Sequence, residues 1–278
     1  MSGNKNKFKI IFIDIDGTLI NKERKLTHET INEIKRISSN GVRVILASSR
    51  MPKSMRYFME ELEINEPIIC HNGALIQSET KDNGDTEVLF SEPLNNSAAE
   101  IIDNAGRNLG IHTGYYLHDN WYEESIEKWV EREINNTKAM PQIRSIPDVL
   151  SEWKSKNKGP HKIMCMGEGH KMDRFSEALK QSCGESTKAY RSKKTYLEIT
   201  SAKTSKKTAA EFLQNKYGIK REEVIAIGDN YNDTEMIKWA GLGIAMGNAH
   251  ESIKQLADYV APTNNDDGVA HVIKKFIP

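Results

Sequence analysis

Long apolar runs are missing from this chain of 278 residues. No stretch approaches the ~20 apolar residues that a membrane helix needs. The polar start from Met1 to Lys7 holds no apolar signal core, so neither a membrane partner nor export is expected. Cysteine is scarce: Cys70, Cys165 and Cys183 form an odd, unpatterned set. That argues against a disulfide framework and fits a reducing cytoplasm. Cys70 and Cys165 fall in apolar, strand-like runs and read as buried thiols. An excess charge of either sign is also missing, because 39 basic and 39 acidic side chains cancel. Nothing therefore points to nucleic acid or an anionic surface as partner. The eight histidines are scattered without a metal-ligand spacing.

What is present is an alternation of strands and helices, and the length suggests two domains. The run from Phe8 to Ile13 is almost wholly apolar and reads as a strand buried on both faces, hence part of a parallel sheet. It ends in Asp14, Ile15, Asp16, Gly17 and Thr18. In such sheets ligands sit at the carboxyl ends of the strands. Residues two apart on extended backbone point the same way, so Asp14 and Asp16 are expected to face one site. Their mutual repulsion invites a cation, and oxygen donors favour Mg²⁺ over Zn²⁺. Further strands at Val42–Ala47 and Ile68–Cys70 end in Ser48, Ser49, Arg50 and in His71, Asn72, Gly73. Helices are expected between them, one capped by Thr27 and closed by Gly41, the other opened by Pro52. His71 reads as a turn or packing residue.

A hairpin turning at Asn83-Gly84 is expected between Ala74–Ile76 and Thr86–Phe90. The pattern then changes. Residues 93–192 read as an inserted α+β domain, an open antiparallel sheet under helices. Its helices are expected near 95–109, 124–136 and 170–182, and its strands near 111–117, 161–166 and 186–191. Trp121, Trp129 and Trp153 read as its core. The first domain thus comprises 1–92 and 193–278, resuming at Tyr196–Ile199. Lys206 stands just before a helix from Thr208, and the strand ending at Ile227 leads into Gly228, Asp229, Asn230, Tyr231, Asn232 and Asp233. A shorter strand, Leu242–Met246, leads into Gly247 and Asn248.

Taken together, Asp14-x-Asp16-x-Thr18, Ser48, Lys206 and Gly228-Asp229-x-x-x-Asp233 resemble the four motifs of the haloacid dehalogenase superfamily. The closer resemblance is to its Cof-type branch, through the large insert and the accessory stretches Asn72-Gly73-Ala74, Ala245–Ala249 and Asp267–Ala270. The resemblance implies a doubly wound, Rossmann-like α/β core with an inserted cap. It implies a Mg²⁺-dependent phosphatase of small phosphorylated metabolites, such as sugar phosphates, flavin mononucleotide or pyridoxal phosphate. Asp14 would be the nucleophile and Asp16 the acid and base, with a carboxyl pKa above that of free Asp. Asp14, the backbone carbonyl of Asp16, and Asp229 would hold the metal, supported by Asn232 and Asp233. Ser48 and Lys206 would bind the phosphoryl oxygens, and Gly17, Ser49, Arg50, Asn72 and Asn248 would line the substrate site. A cytoplasmic monomer or weak homo-oligomer is expected.

Two positions depart from the branch pattern. Ser49 stands where glycine is usual, and so does Lys207. Neither removes a group that the chemistry needs; both bear on which substrate fits. A phosphotransferase such as a sugar phosphomutase, and a non-enzymatic phosphometabolite sensor, are the alternative readings. A dinucleotide binder is disfavoured, since no Gly-x-Gly-x-x-Gly follows the first strand.

Overall fold

The strand that leads into Asp14 is an inner strand of one of the two main sheets in a computed structural model, which describes residues 7–81 and 83–278. In chain order the strands are β1 (Ile10–Ile13), β2 (Arg43–Leu46), β3 (Ile68–Cys70), β4 (Leu75–Gln77), β5 (Val88–Ser91), β6 (His112–Leu117) and β7 (Asn120–Glu123). There follow β8 (Gln142–Ile143), β9 (Lys162–Met166), β10 (Thr187–Lys193), β11 (Tyr196–Ser201), β12 (Val224–Gly228), β13 (Leu242–Ala245) and β14 (Tyr259–Val260).

The core sheet runs β14-β13-β12-β1-β2, all parallel. β1 is buried along its whole length because both faces are covered. Ile11 and Ile13 pack with Ile37, Leu62 and Val272, while Ile10 and Phe12 pack on the other side with Leu213 and Met236. The sheet order reverses beside β1, so the crevice at the carboxyl end opens next to Asp14. β3, β4 and β5 form a small antiparallel sheet, joined to β2 by a bridge between Ala47 and Ile69. Asn83 and Gly84 lie in the β4–β5 connection, where Gly84 has φ +83°; Asp82 lies outside the described residues.

The second sheet runs β10-β11-β9-β6-β7-β8, mostly antiparallel, with β7 and β8 parallel. Its residues alternate. Tyr115, Ile163, Cys165, Leu197 and Ile199 face the helices Asn96–Leu109, Ile146–Ser155 and Gly169–Cys183. Tyr116, Met164, Met166 and Tyr196 face the other way, with Trp121 and with Met51 from the core. Trp121 and Trp153 are buried in this domain. Among the described residues, no helix is long and apolar enough to cross a membrane.

Two sequence expectations give way here. The segment beginning at Tyr196, expected to resume the core from residue 193, is a strand of the second sheet, paired with β9 and β10. Its residues alternate in direction, as a one-sided sheet demands, rather than being apolar on both faces. The core resumes after Ser201. A helix at Ile146–Ser155, not anticipated, is capped by Ser145, which accepts from the Asp148 amide, and carries Pro147 in its first turn. Ile146, Val149, Leu150 and Trp153 form its buried stripe. The helix expected from 124 begins at Lys128.

Candidate active site

Asp14 and Asp16 stand at the end of β1, and both line a cleft of about 390 Å³ between the two sheets. Gly17 follows with φ +88°, and a Cβ there would lie 2.4 Å from Oδ2 of Asp229. Only glycine lets the turn come this close to the second acidic loop. Thr18 ties the two loops by donating from Oγ1 to Oδ1 of Asp229 at 3.0 Å.

Lys206 is the first residue of the helix Lys206–Lys216, whose cap is Ser205. Its side chain is fully buried, and Nζ donates to Asp14 Oδ1 at 2.5 Å and to Asp233 Oδ1 at 2.6 Å. Asp233 lies in a 3₁₀ turn after β12 and accepts the amides of Asp229 and Asn230 on Oδ2, each at 3.1 Å. Asp14, Asp229 and Asp233 each place a carboxylate oxygen within 4.8 Å of the others. One lysine does not balance three acids. Burial, with the charges of Asp233 and Asp229, therefore holds the Asp14 carboxyl well above the usual range, although Lys206 pulls it back. Burial and Asp233 likewise raise Asp229 to about 7, against the Thr18 hydrogen bond. Burial would lower the Lys206 pKa, but its two carboxylates raise it above the ordinary value, so it stays charged.

Asp16 behaves in the opposite way to expectation. Burial would raise its pKa, but two hydrogen bonds and the charge of Arg50, with Arg24 and Lys206 behind them, hold it below the ordinary value. The sequence reading missed this because Arg50 was expected to meet the substrate. Here its Nε and Nη2 instead grip Asp16 at 2.7 and 2.8 Å. Ser48 is buried beside them, and its Oγ accepts the Arg50 amide at 3.2 Å.

Ser49 and Asn232 line the cleft as well. Asn72 and Asn248 do not line it. Their side chains are consumed by protein. Asn72 donates to Glu198 Oε2 and accepts from Asn232 Nδ2, both at 2.8 Å. Asn248 donates to the Gly17 carbonyl at 2.8 Å and accepts the Asn264 amide at 3.0 Å. The roof of the cleft comes from the second sheet and its neighbouring helix: Tyr116, Glu133, Lys162, Met164, Tyr196 and Glu198. No motif marks these residues. The signal that was available is charge, since Lys162 opens the apolar run of β9 and Glu198 stands between Leu197 and Ile199 in β11.

A parallel α/β core, acids and one lysine gathered at its carboxyl edge, and a separate sheet closing over them define a capped hydrolase. The family model for haloacid dehalogenase-like hydrolases matches residues 11–273. A putative phosphatase of Haemophilus influenzae is 31% identical over 273 residues, covering 98% of this chain and 99% of that protein. The 5-amino-6-(5-phospho-D-ribitylamino)uracil phosphatase YitU of Bacillus subtilis is 25% identical over 283 residues, covering 96% and 97%. The crystal structure of a haloacid dehalogenase-like hydrolase from Bacteroides thetaiotaomicron superposes with a TM-score of 0.82 at 29% identity, over 96% of this chain and 99% of that one. The chain belongs to the haloacid dehalogenase superfamily, in its Cof-type branch, and it is a phosphatase.

Proposed function

We propose that this chain is a Mg²⁺-dependent phosphatase of small phosphorylated metabolites, working in the cytoplasm through a phosphoryl intermediate on Asp14. The observation that carries this reading is the position of Lys206. It joins Asp14, from the start of the chain, to Asp233, near its end, within hydrogen-bond distance of both.

The donor set fits Mg²⁺. It is all oxygen, and the Asp14 and Asp229 carboxyls are raised first by burial and then by neighbouring carboxylate charge, which one lysine leaves partly uncompensated. Asp14, the backbone carbonyl of Asp16, and Asp229 would hold the ion, with Asp233 and Asn232 orienting them. Bound there, it would supply positive charge to the phosphoryl oxygens.

Asp14 attacks phosphorus, forming an Asp–O–P bond as the ester P–O bond breaks. The leaving oxygen departs with a proton from Asp16. Water then attacks the acyl phosphate, with Asp16 taking its proton, and free phosphate and Asp14 are regenerated. The ionised Asp16 that Arg50 holds is the form suited to this second half. The first half needs a proton on Asp16, so the Arg50 pair has to loosen in that step. Lys206 neutralises phosphoryl charge. Ser48 accepts from the Arg50 amide, which leaves its own O–H free to donate to a phosphoryl oxygen.

A phosphate-release screen over phosphorylated metabolites, with and without Mg²⁺ and beside Asp14→Asn, tests the proposal. Release that needs Mg²⁺ and vanishes in Asp14→Asn is expected. Turnover surviving in Asp14→Asn removes the covalent route. Excess acceptor sugar that diverts phosphate into a second ester would favour a phosphotransferase, and Mg²⁺ binding without turnover on any ester would favour a sensor.

A further inference from the structure

We infer that Glu133 selects leaving groups that carry a protonated amine, so that the preferred substrates are phosphomonoesters of small amino alcohols or amino sugars. This deepens, and rests on, the phosphatase reading above.

Glu133 stands on the helix Lys128–Thr137 in the roof of the cleft that also holds Asp14 and Asp16. It is only 7% exposed. Its one side-chain hydrogen bond is long, 3.5 Å from Asn136 Nδ2. The cationic groups around it bond elsewhere, although the charge of Glu133 reaches Arg50, and Arg132 lies over the Tyr196 ring. Arg50 is taken by Asp16. Arg24 donates to the carbonyl and side chain of Asn136 at 2.7 and 2.8 Å. Lys162 donates to the Ser49 carbonyl at 2.8 Å and lies over the Tyr116 ring. Lys193 is exposed and sits over the ring of Tyr196, 5.2 Å from its centre. Among the described residues, none places a cationic nitrogen within 4.0 Å of the Glu133 carboxylate.

A carboxylate withdrawn from bulk water without a cation is costly, and a ligand that brings the cation recovers that cost. A hydroxyl can donate to Glu133, but only an ammonium also cancels its charge. Lys206 and Ser48 sit on the core side, where the phosphate would bind. The cleft thus has a phosphate end on the core, while its roof holds the Glu133 carboxylate, to which no cation of the described residues is bonded, beside Lys162 and Lys193.

The test compares kcat/KM on two matched pairs: glucosamine 6-phosphate against glucose 6-phosphate, and pyridoxamine 5′-phosphate against pyridoxine 5′-phosphate. Wild type, Glu133→Gln and the charge-keeping Glu133→Asp are measured, with p-nitrophenyl phosphate as a general ester. Wild type should favour the amine of at least one pair by roughly tenfold, mainly through KM. The ratio should fall to near one in Glu133→Gln and persist in Glu133→Asp. A wild-type ratio at or below one on both pairs overturns the inference, as does an unchanged ratio in Glu133→Gln. Release from p-nitrophenyl phosphate or the hydroxyl esters, with none from the amines, overturns it while leaving the phosphatase reading intact. No release from any ester removes both.

Discussion

Arg50 holds Asp16 by both carboxylate oxygens, Nε to Oδ2 at 2.7 Å and Nη2 to Oδ1 at 2.8 Å, while its guanidinium lies over the ring of Phe58. The two residues follow adjacent strands, β1 and β2, so the pair bridges the edge where the chemistry gathers. A planar fork gripping a planar carboxylate fixes the orientation of Asp16 as well as its charge.

Arg50→Ala should lower kcat/KM by about two orders of magnitude, within the range that a positioned proton-transfer group contributes. Arg50→Lys should recover only part of the loss, because a lysine offers one point charge and not the fork. Steady-state phosphate release on a single ester checks both. Wild-type rates in Arg50→Ala would show that the pair has no part in turnover.

The three crowded acids predict a thermal response to metal. At a Mg²⁺ concentration of about 100 Kd, binding should stabilise the fold by about 2.7 kcal/mol, or several degrees in Tm. In Asp229→Asn that shift should largely disappear. The metal-free variant should melt no lower than metal-free wild type, since one source of repulsion is gone. Melting curves in EDTA and in Mg²⁺ measure both quantities. An equal Mg²⁺ shift in the variant would place the ion elsewhere.

Gly73 has φ +94°, and a Cβ there would lie 2.1 Å from the carbonyl oxygen of Ser205, the residue before Lys206. Gly73→Ala should cost about 1–2 kcal/mol in backbone strain alone. It should also push the Ser205–Lys206 turn away from Asp14, lowering kcat more than it raises KM. Urea unfolding and kinetics on one sample separate the two effects. Unchanged kcat beside lost stability would mean that the turn recovers its place.

His161 joins the two domains. Its Nε2 meets Ser91 Oγ at 2.9 Å, and its Nδ1 accepts the His118 amide at 3.1 Å. Its ring stacks on that of His71. Burial, helped by the charge of His118, pushes His161 down to about 3. Burial and the neighbouring charges of His161 and Lys162 lower His71 as well. At His161 and His71 the unfolded chain therefore binds more protons than the folded one, from about pH 6.5 down to about 3 for His161, and their contribution to stability falls as pH falls; the raised Asp14 and Asp229 carboxyls contribute with the opposite sign. By pH 5 the loss from His161 should reach about 2 kcal/mol, and His71 adds to it with the same sign. Urea midpoints of wild type and His161→Gln at pH 7 and pH 5 test this, the variant losing less stability on acidification than wild type. An equal change between pH 7 and pH 5 in wild type and in His161→Gln would contradict it.

The core was legible because strands buried on both faces are nearly continuous apolar runs. Phe8–Ile13 and Val42–Ala47 announce themselves, and Asp14, Ser48 and Asp229 fall where those runs stop. β11 was harder. Tyr196, Leu197 and Ile199 carry the same apolar density, and only Glu198 and Thr200 betray an alternating strand with one face turned to a cleft. The pairing of Arg50 with Asp16 was out of reach, because it joins side chains 34 residues apart whose rotamers no local pattern sets. The partners of Asn72 were out of reach for a related reason. An asparagine at a strand end suits a ligand as well as it suits Glu198 and Asn232, and only the packed second sheet decides between them. Glu133 lay hidden in an ordinary amphipathic helix.

Because β11 belongs to the upper sheet and the chain runs on from Ser201 to Lys206 with only a short turn between, anyone grafting a foreign lid onto this scaffold must respect a seam that is not where composition suggests. A chimera cut at residue 193 would leave β11 on the core and deprive the transplanted sheet of an inner strand. Junctions at Pro93 and within the turn from Ala202 to Thr204 keep both halves whole.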